Sequence, residues 1–231
     1  MHSPPRAVRV YRLAIVASLL SAVVPAVASA QRPVAAATIV RDWTTVGRHT
    51  TVVDSAGRQF VRFDDGPGIG LAWTHAIDFA DGEIEFDVRG RDILQKSFVG
   101  IAFHIAADTA FDAVYLRPFN FAAADSARRA HAIQYVAYPG WPWERTRAEQ
   151  PGTFEKPVLP EPDPNAWNHV RLAVHGTDVR VFVNGNAVPA LHVQAPSGRT
   201  HGGVGLWVGD SSPGDFANLV VRRTGSRPAG T

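Results

Sequence analysis

The sequence predicts an all-β protein, a two-sheet antiparallel β-sandwich, on three observations. Apolar and polar residues alternate with period two in about a dozen short runs after residue 37. Gly, Asp, Asn and Pro separate these runs, and no long stretch of helical period competes with them. The 231 residues, 45% hydrophobic and 19% charged, suit one globular domain with a full core.

Residues 1–30 carry Arg6, Arg9 and Arg12, an apolar run over 13–24, then Pro25 and Ala28-Ser29-Ala30. That order reads as a secretory signal peptide cleaved after Ala30, because the apolar run is shorter than the ~20 residues that span a bilayer. A retained membrane anchor is the alternative. Residues 31–37 are expected as a short linker, 38–222 as the sandwich, and 223–231, rich in Gly, Ser, Pro and Arg, as a disordered tail.

Within the sandwich, alternation predicts strands at 58–63, 83–88, 98–105, 113–117, 131–138, 169–175, 179–183, 188–193, 204–208 and 216–221. Asn184-Gly185 predicts a hairpin turn, since both residues tolerate positive φ. The segment 139–166 breaks the rhythm. It holds seven of the 17 prolines, with Trp141 and Trp143. Residues 143–150 suit two helical turns stopped by Pro151-Gly152, and the remainder an extended loop.

Charge and cysteine content exclude several classes. Without Cys there is no disulfide, thiolate metal site or cysteine nucleophile. The formal charge of +2 belongs to the whole chain; three basic residues and no acidic ones precede Ala30, so cleavage would leave −1. With no basic run longer than a pair, nucleic acid is a poor partner. The nine His show no His-x-His or His-Glu-x-x-His spacing, so no dedicated zinc site is expected. Gly66-Pro67-Gly68-Ile69-Gly70 lacks a phosphate-loop Lys and reads as a turn, and no Gly-x-Ser-x-Gly elbow occurs.

Three segments resemble the concanavalin A-like jelly roll of the laminin-G type. They are Gly82-Glu83-Ile84-Glu85-Phe86-Asp87-Val88, Trp167-Asn168-His169-Val170-Arg171-Leu172 running into Val181-Phe182-Val183-Asn184-Gly185, and Gly203-Val204-Gly205-Leu206-Trp207-Val208. The chain is most similar to secreted bacterial domains labelled 3-keto-disaccharide hydrolase, which share a stretch like Asp112-Ala113-Val114-Tyr115-Leu116-Arg117-Pro118-Phe119-Asn120-Phe121. The resemblance implies a jelly roll and hosts lectins, glycoside hydrolases and adhesion modules alike.

Two groups of residues are candidates for chemistry. Glu83, Glu85 and Asp87 alternate with apolar residues and so share one face of a strand. They resemble the Glu-x-Asp-x-(x)-Glu strand of family-sixteen glycanases, although here the middle acid is Glu and the last is Asp. Neighbours two apart lie ~6.6–6.8 Å from each other, within the ~6.5–9.5 Å carboxyl spacing of inverting glycosidases and, with converging side chains, open to the ~5–5.5 Å of retaining ones. The structural alternative is a solvated face whose charges pair across the ladder with Arg89, Arg117 or Arg171. The second group is Tyr138, Trp141 and Trp143, flat faces held by prolines that suit sugar rings. Arg117, Asn120, Gln134 and His104 are the polar residues that could complete a sugar site. Trp43, Trp73, Trp167 and Trp207 sit in strand-like patterns and read as packing residues.

The functional expectation is therefore a secreted or periplasmic carbohydrate-binding domain. A glycoside hydrolase using the acidic strand is the first alternative and an envelope protein-interaction module the second. No cofactor is implied, apart from a structural calcium that the loop 210–215, with Asp210 and Asp215, could bind.

Overall fold

The computed structural model describes residues 32–224 and His2. The rest of the expected signal peptide and residues 225–231 of the expected tail lie outside the described residues. Two antiparallel sheets of seven strands face each other. The first runs β1 (Thr44–Val46), β4 (Gly70–Phe79), β13 (Gly202–Val208), β6 (Val99–Ala107), β7 (Ala110–Leu116), β8 (Ile133–Tyr138), β9 (Glu155–Lys156). The second runs β12 (Leu191–Gln194), β11 (Asp178–Val183), β10 (Asn168–His175), β5 (Gly82–Arg89), β14 (Gly214–Arg223), β3 (Arg58–Phe63), β2 (Thr50–Ser55). The sandwich is the jelly roll expected from the sequence.

Alternation explains the second sheet. Ile84, Phe86 and Val88 of β5, Val170, Leu172 and Val174 of β10, and Val179, Val181 and Val183 of β11 all enter the core between the sheets. The residues between them stay partly accessible. The first sheet behaves differently. Every residue of β13 and all but the ends of β6 and β7 are buried, because a second apolar cluster covers its outer face. Leu71, Ala102, Ala113, Tyr115, Val136 and Trp207 belong to that cluster, while Ile101, Val114, Tyr135 and Leu206 face the inter-sheet core. Strand β4, buried only at its two ends and partly exposed between them, falls outside the runs read from the sequence.

Three short α-helices, α1 (Ala36–Asp42), α2 (Ser126–Arg129) and α3 (Trp143–Glu149), and a 3-10 turn at Pro118–Asn120 complete the described chain. Helix α3 forms where two turns were expected and ends ahead of Pro151-Gly152. Asn184 and Gly185 take φ of 53° and 73°, the left-handed pair of a tight turn, and Asn186 N–H closes it on the Val183 carbonyl at 3.2 Å. The partner strand β12 begins only at Leu191, so Val188 lies in the intervening loop and is exposed. No helix among the described residues is long and apolar enough to cross a membrane.

Candidate functional site

One rung of the first sheet sets the floor of a cavity. Across β4, β13, β6, β7, β8 and β9, register aligns Leu71, Trp207, Gly100, Tyr115, Gln134 and Glu155 in a row. Because their chain neighbours face the core, these side chains share the outer face. Gly100 leaves the gap that the row requires. A Cβ there would stand 2.1 Å from the Val114 carbonyl oxygen and 2.7 Å from the Tyr115 Cβ. The Tyr115 and Trp207 rings stack above the gap with centroids 4.7 Å apart and planes at 28°.

Three loops and a helix raise walls around this row and enclose about 590 Å3. One wall is Leu94, Gln95 and Phe98. A second is Arg117, Phe119, Asn120, Arg128 and His131. A third is Tyr138 with Trp143 and Arg147 of α3, and the fourth is Gly68, Ile69, Gly209 and Asp210. Buried Arg48 pins the fourth wall through the Pro67, Gly68 and Gly209 carbonyls at 2.8–2.9 Å. Leu94 and Trp143, 58% and 40% exposed, are the apolar residues at the mouth.

The floor is tightly hydrogen-bonded. Tyr115 donates its hydroxyl to Gln134 Oε1 at 2.7 Å and accepts from Arg117 Nη2 at 2.9 Å. Arg117 also donates to Gln134 Oε1 and, at 2.9 Å, to the His131 carbonyl. Gln134 Nε2 reaches Thr146 of α3 at 3.2 Å, which ties the helix to the sheet. Beneath them lies Glu155, 3% exposed. Arg147 grips its two oxygens at 2.9 and 2.7 Å, His131 Nδ1 lies 2.8 Å away in a bent contact, and Arg117 is at 3.5 Å. Burial alone would push the Glu155 carboxyl upward. The Arg147 hydrogen bonds, with the charges of Arg147, His131 and Arg117, outweigh it and hold the group below its ordinary value. The Tyr138 phenol is pushed up to about 12, chiefly by burial, so it is a neutral donor at neutral pH.

Of the residues singled out in the sequence, Arg117, Asn120, Tyr138 and Trp143 line this cavity, and Gln134 lies just under it. Trp141 does not line it. Its ring packs toward Phe154 at 6.3 Å with Arg145 over it at 4.0 Å, against the inter-sheet core. His104 is buried elsewhere on the first sheet, with Nε2 3.0 Å from the Ala80 carbonyl and Nδ1 3.4 Å from Asp112.

Glu83, Glu85 and Asp87 stand on the outer face of the second sheet, on the opposite side of the sandwich from the cavity. Arg171 holds Glu83 at 2.7 Å, and Arg222 pairs with Glu85. Asp87 takes Arg58, His169 at 2.8 Å and Asn218 at 2.7 Å. Of the three arginines suggested as partners from the sequence, Arg171 serves, whereas Arg89 bonds Asp215 and Arg117 belongs to the cavity. In the 210–215 loop, Asp210 accepts from Gly68 N–H at 2.6 Å and Asp215 is held by Arg62 and Arg89. Among the described residues no three His, Asp or Glu gather where they could hold a metal ion.

Sequence reasoning missed Tyr115, His131, Arg147, Glu155 and Trp207 as a group. The signal available was alternation at 113–117 and 131–138, which turns Tyr115 and Gln134 to one face; no local pattern adds β9 beside them.

A family model for the 3-keto-alpha-glucoside-1,2-lyase-like domain matches residues 38–222. No curated protein matches the sequence. In structure the chain is similar to the carbohydrate binding module CBM66 from Bacillus subtilis, with a TM-score of 0.51 and 16% identity over 77% of this chain and 92% of that one. It is also similar to a Bacillus subtilis protein of unknown function with a galectin-like fold, with a TM-score of 0.54 and 14% identity over 82% and 92%. Both likenesses are of fold.

Proposed function

The chain belongs to the 3-keto-alpha-glucoside-1,2-lyase-like family, and from that premise we propose that it binds a carbohydrate in the cavity on the outer face of its first sheet. One observation carries the reading: aromatic faces and fixed donors converge on a single enclosed space of about 590 Å3. That volume lies within the ~300–1,000 Å3 of small-molecule sites. Trp207, Tyr115, Tyr138 and Trp143 offer flat faces to the C–H side of a sugar ring, and Arg117, Asn120 and Arg128 line it as polar groups for hydroxyls. The floor is held by hydrogen bonds before any ligand arrives, which lowers the entropy lost on binding. Titrating tryptophan fluorescence with glucosides and 3-keto-glucosides tests it. We expect saturable quenching, weakened about ten-fold by Trp143→Ala; no saturable response to any member of the panel would refute the reading.

A second reading, cleavage of the bound glycoside, is favoured by His131 at the cavity wall with Glu155 at its Nδ1. In a 3-keto-glucoside the ketone acidifies the C2 hydrogen. An imidazole that takes that proton drives a C1=C2 bond as the C1–O electron pair leaves on the aglycone oxygen, which is then protonated. Loss of aglycone release in His131→Asn with sugar binding retained supports this; turnover indifferent to His131 refutes it.

Export follows the same proposal, with removal of residues 1–30. The processed chain should then begin at Gln31 by mass spectrometry and focus at a pI of roughly 6, between the carboxylate and imidazole values.

A further inference from the structure

The cavity has more positive charge than its own carboxylates neutralise, and its spare polar atoms on the β7–β8 side are donors. Three guanidiniums line it: Arg117, Arg128 and Arg147. Glu155 is the buried carboxylate that reaches Arg117 and Arg147, and Arg147 occupies both its oxygens. Arg117, 5% exposed, stands 3.5 Å from Glu155, and its hydrogen bonds run to neutral acceptors: the His131 carbonyl, the Tyr115 hydroxyl and Gln134 Oε1. Arg128 likewise bonds the Phe119 carbonyl at 2.6 Å and Asn120 Oδ1 at 3.3 Å, with no carboxylate within 4.0 Å among the described residues. On the far wall Asp210 is engaged by the Gly68 amide and lies in the field of buried Arg48. Glu144, on α3, is exposed and screened by water. Trp207 adds a buried indole N–H with no acceptor among the described residues. Even with Asp210 counted for the cavity rather than for Arg48, Glu155 and Asp210 against the three guanidiniums leave at least one positive charge over, before His131 is considered.

A guanidinium withdrawn from water without a full counter-charge is costly, and a ligand that supplies the missing charge removes that cost on binding. A neutral sugar does not, because each hydroxyl that accepts a hydrogen bond must also place its own proton. Resting on the carbohydrate reading above, we infer that the cavity selects a sugar bearing a single negative charge, with the anionic group on Arg117 and Arg128 and the ring against Tyr115 and Trp207. A uronate carboxylate and a sulfate ester share this chemistry.

Isothermal titration calorimetry of the exported chain with methyl α-D-glucopyranoside, its uronate and its 6-sulfate tests the inference. The uronate, the sulfate or both should bind at least ten-fold more tightly than the neutral glycoside, with affinity falling as salt rises from 50 to 500 mM. Arg128→Gln, which leaves buried Arg117 in place and so protects folding, should reduce the preference to within about two-fold; Arg117→Gln should do the same where near-ultraviolet circular dichroism shows it folded. Neutral and anionic glycosides binding equally would overturn the charge inference and leave the carbohydrate reading standing. Binding of none of the three would overturn both. A preference that survives both arginine substitutions would overturn the assigned residues.

Discussion

Replacing Glu155 by Gln should destabilise the domain by about 3 kcal/mol, the low end of what breaking one side of a buried ion pair costs. The low end applies because the partners differ in access. The Arg147 side chain is 36% exposed and can turn partly to water once its two hydrogen bonds to the carboxylate are lost. Arg117, with 6% of its side chain exposed, cannot, and it would keep its charge beside a neutral amide. A Gln could still accept from Arg147 Nε, but its NH2 would oppose the second guanidinium nitrogen donor to donor. Urea unfolding at pH 7 followed by tryptophan fluorescence reads the effect. With a slope of about 2 kcal/mol/M the midpoint falls by about 1.5 M. The slope itself should not change. The pH dependence gives an independent check. The Glu155 carboxyl is held below its ordinary value of 4.5, so its contribution is full above that value and is lost as pH falls through the depressed one. Wild-type protein should therefore lose part of its margin over Glu155→Gln as pH falls below about 4.5. A loss under 1 kcal/mol at pH 7, or a margin constant into acid, would refute the view that this carboxylate holds the cavity floor.

Other expectations follow from the same geometry. Gly100→Ala should cost about 1–3 kcal/mol, since the new methyl meets backbone that cannot yield cheaply; the near-ultraviolet signal of the Tyr115–Trp207 stack should change with it, and an unaltered signal at wild-type stability would be contrary. Trp143→Ala should leave stability within about 0.5 kcal/mol while weakening ligand binding, because the ring stands at the mouth. Trp141→Ala should do the reverse, losing about 1–3 kcal/mol as its half-buried ring leaves the core; equal effects of the two on binding would argue against the cavity as the site. Single Glu83→Gln, Glu85→Gln and Asp87→Asn variants should each lose at most about 1 kcal/mol, as partly exposed pairs do, and should leave sugar binding intact. A large binding defect in any of them would move the site to the second sheet.

Much of the second sheet is legible in the chain, because β5, β10 and β11 each have one wet face and period-two alternation records it. Strands β3, β5, β10 and β11 fall where 58–63, 83–88, 169–175 and 179–183 place them. The Asn184-Gly185 turn and helix α3 are equally local, set by positive φ and by Pro151-Gly152. The cavity is legible only in pieces. Arg117, Asn120, Tyr138 and Trp143 stand out as residue types, and the sequence does not say which of them meet. Trp141, two residues from Trp143, turns into the core instead.

What alternation determines is the face on which a side chain stands; which strand lies beside it is decided in three dimensions. Tyr115, Gln134 and Glu155 form one floor because β7, β8 and β9 pair in that register, and Trp207 joins them from β13 by stacking on Tyr115 across Gly100. Glu83, Glu85 and Asp87 alternate as a catalytic strand would, yet their partners Arg171, Arg222 and Arg58 arrive from β10, β14 and β3, far off in the chain. The charge surplus of the cavity has the same origin: each arginine looks ordinary in the sequence, and only the fold sets Arg117 and Arg147 around one shared carboxylate with Arg128 nearby on neutral acceptors.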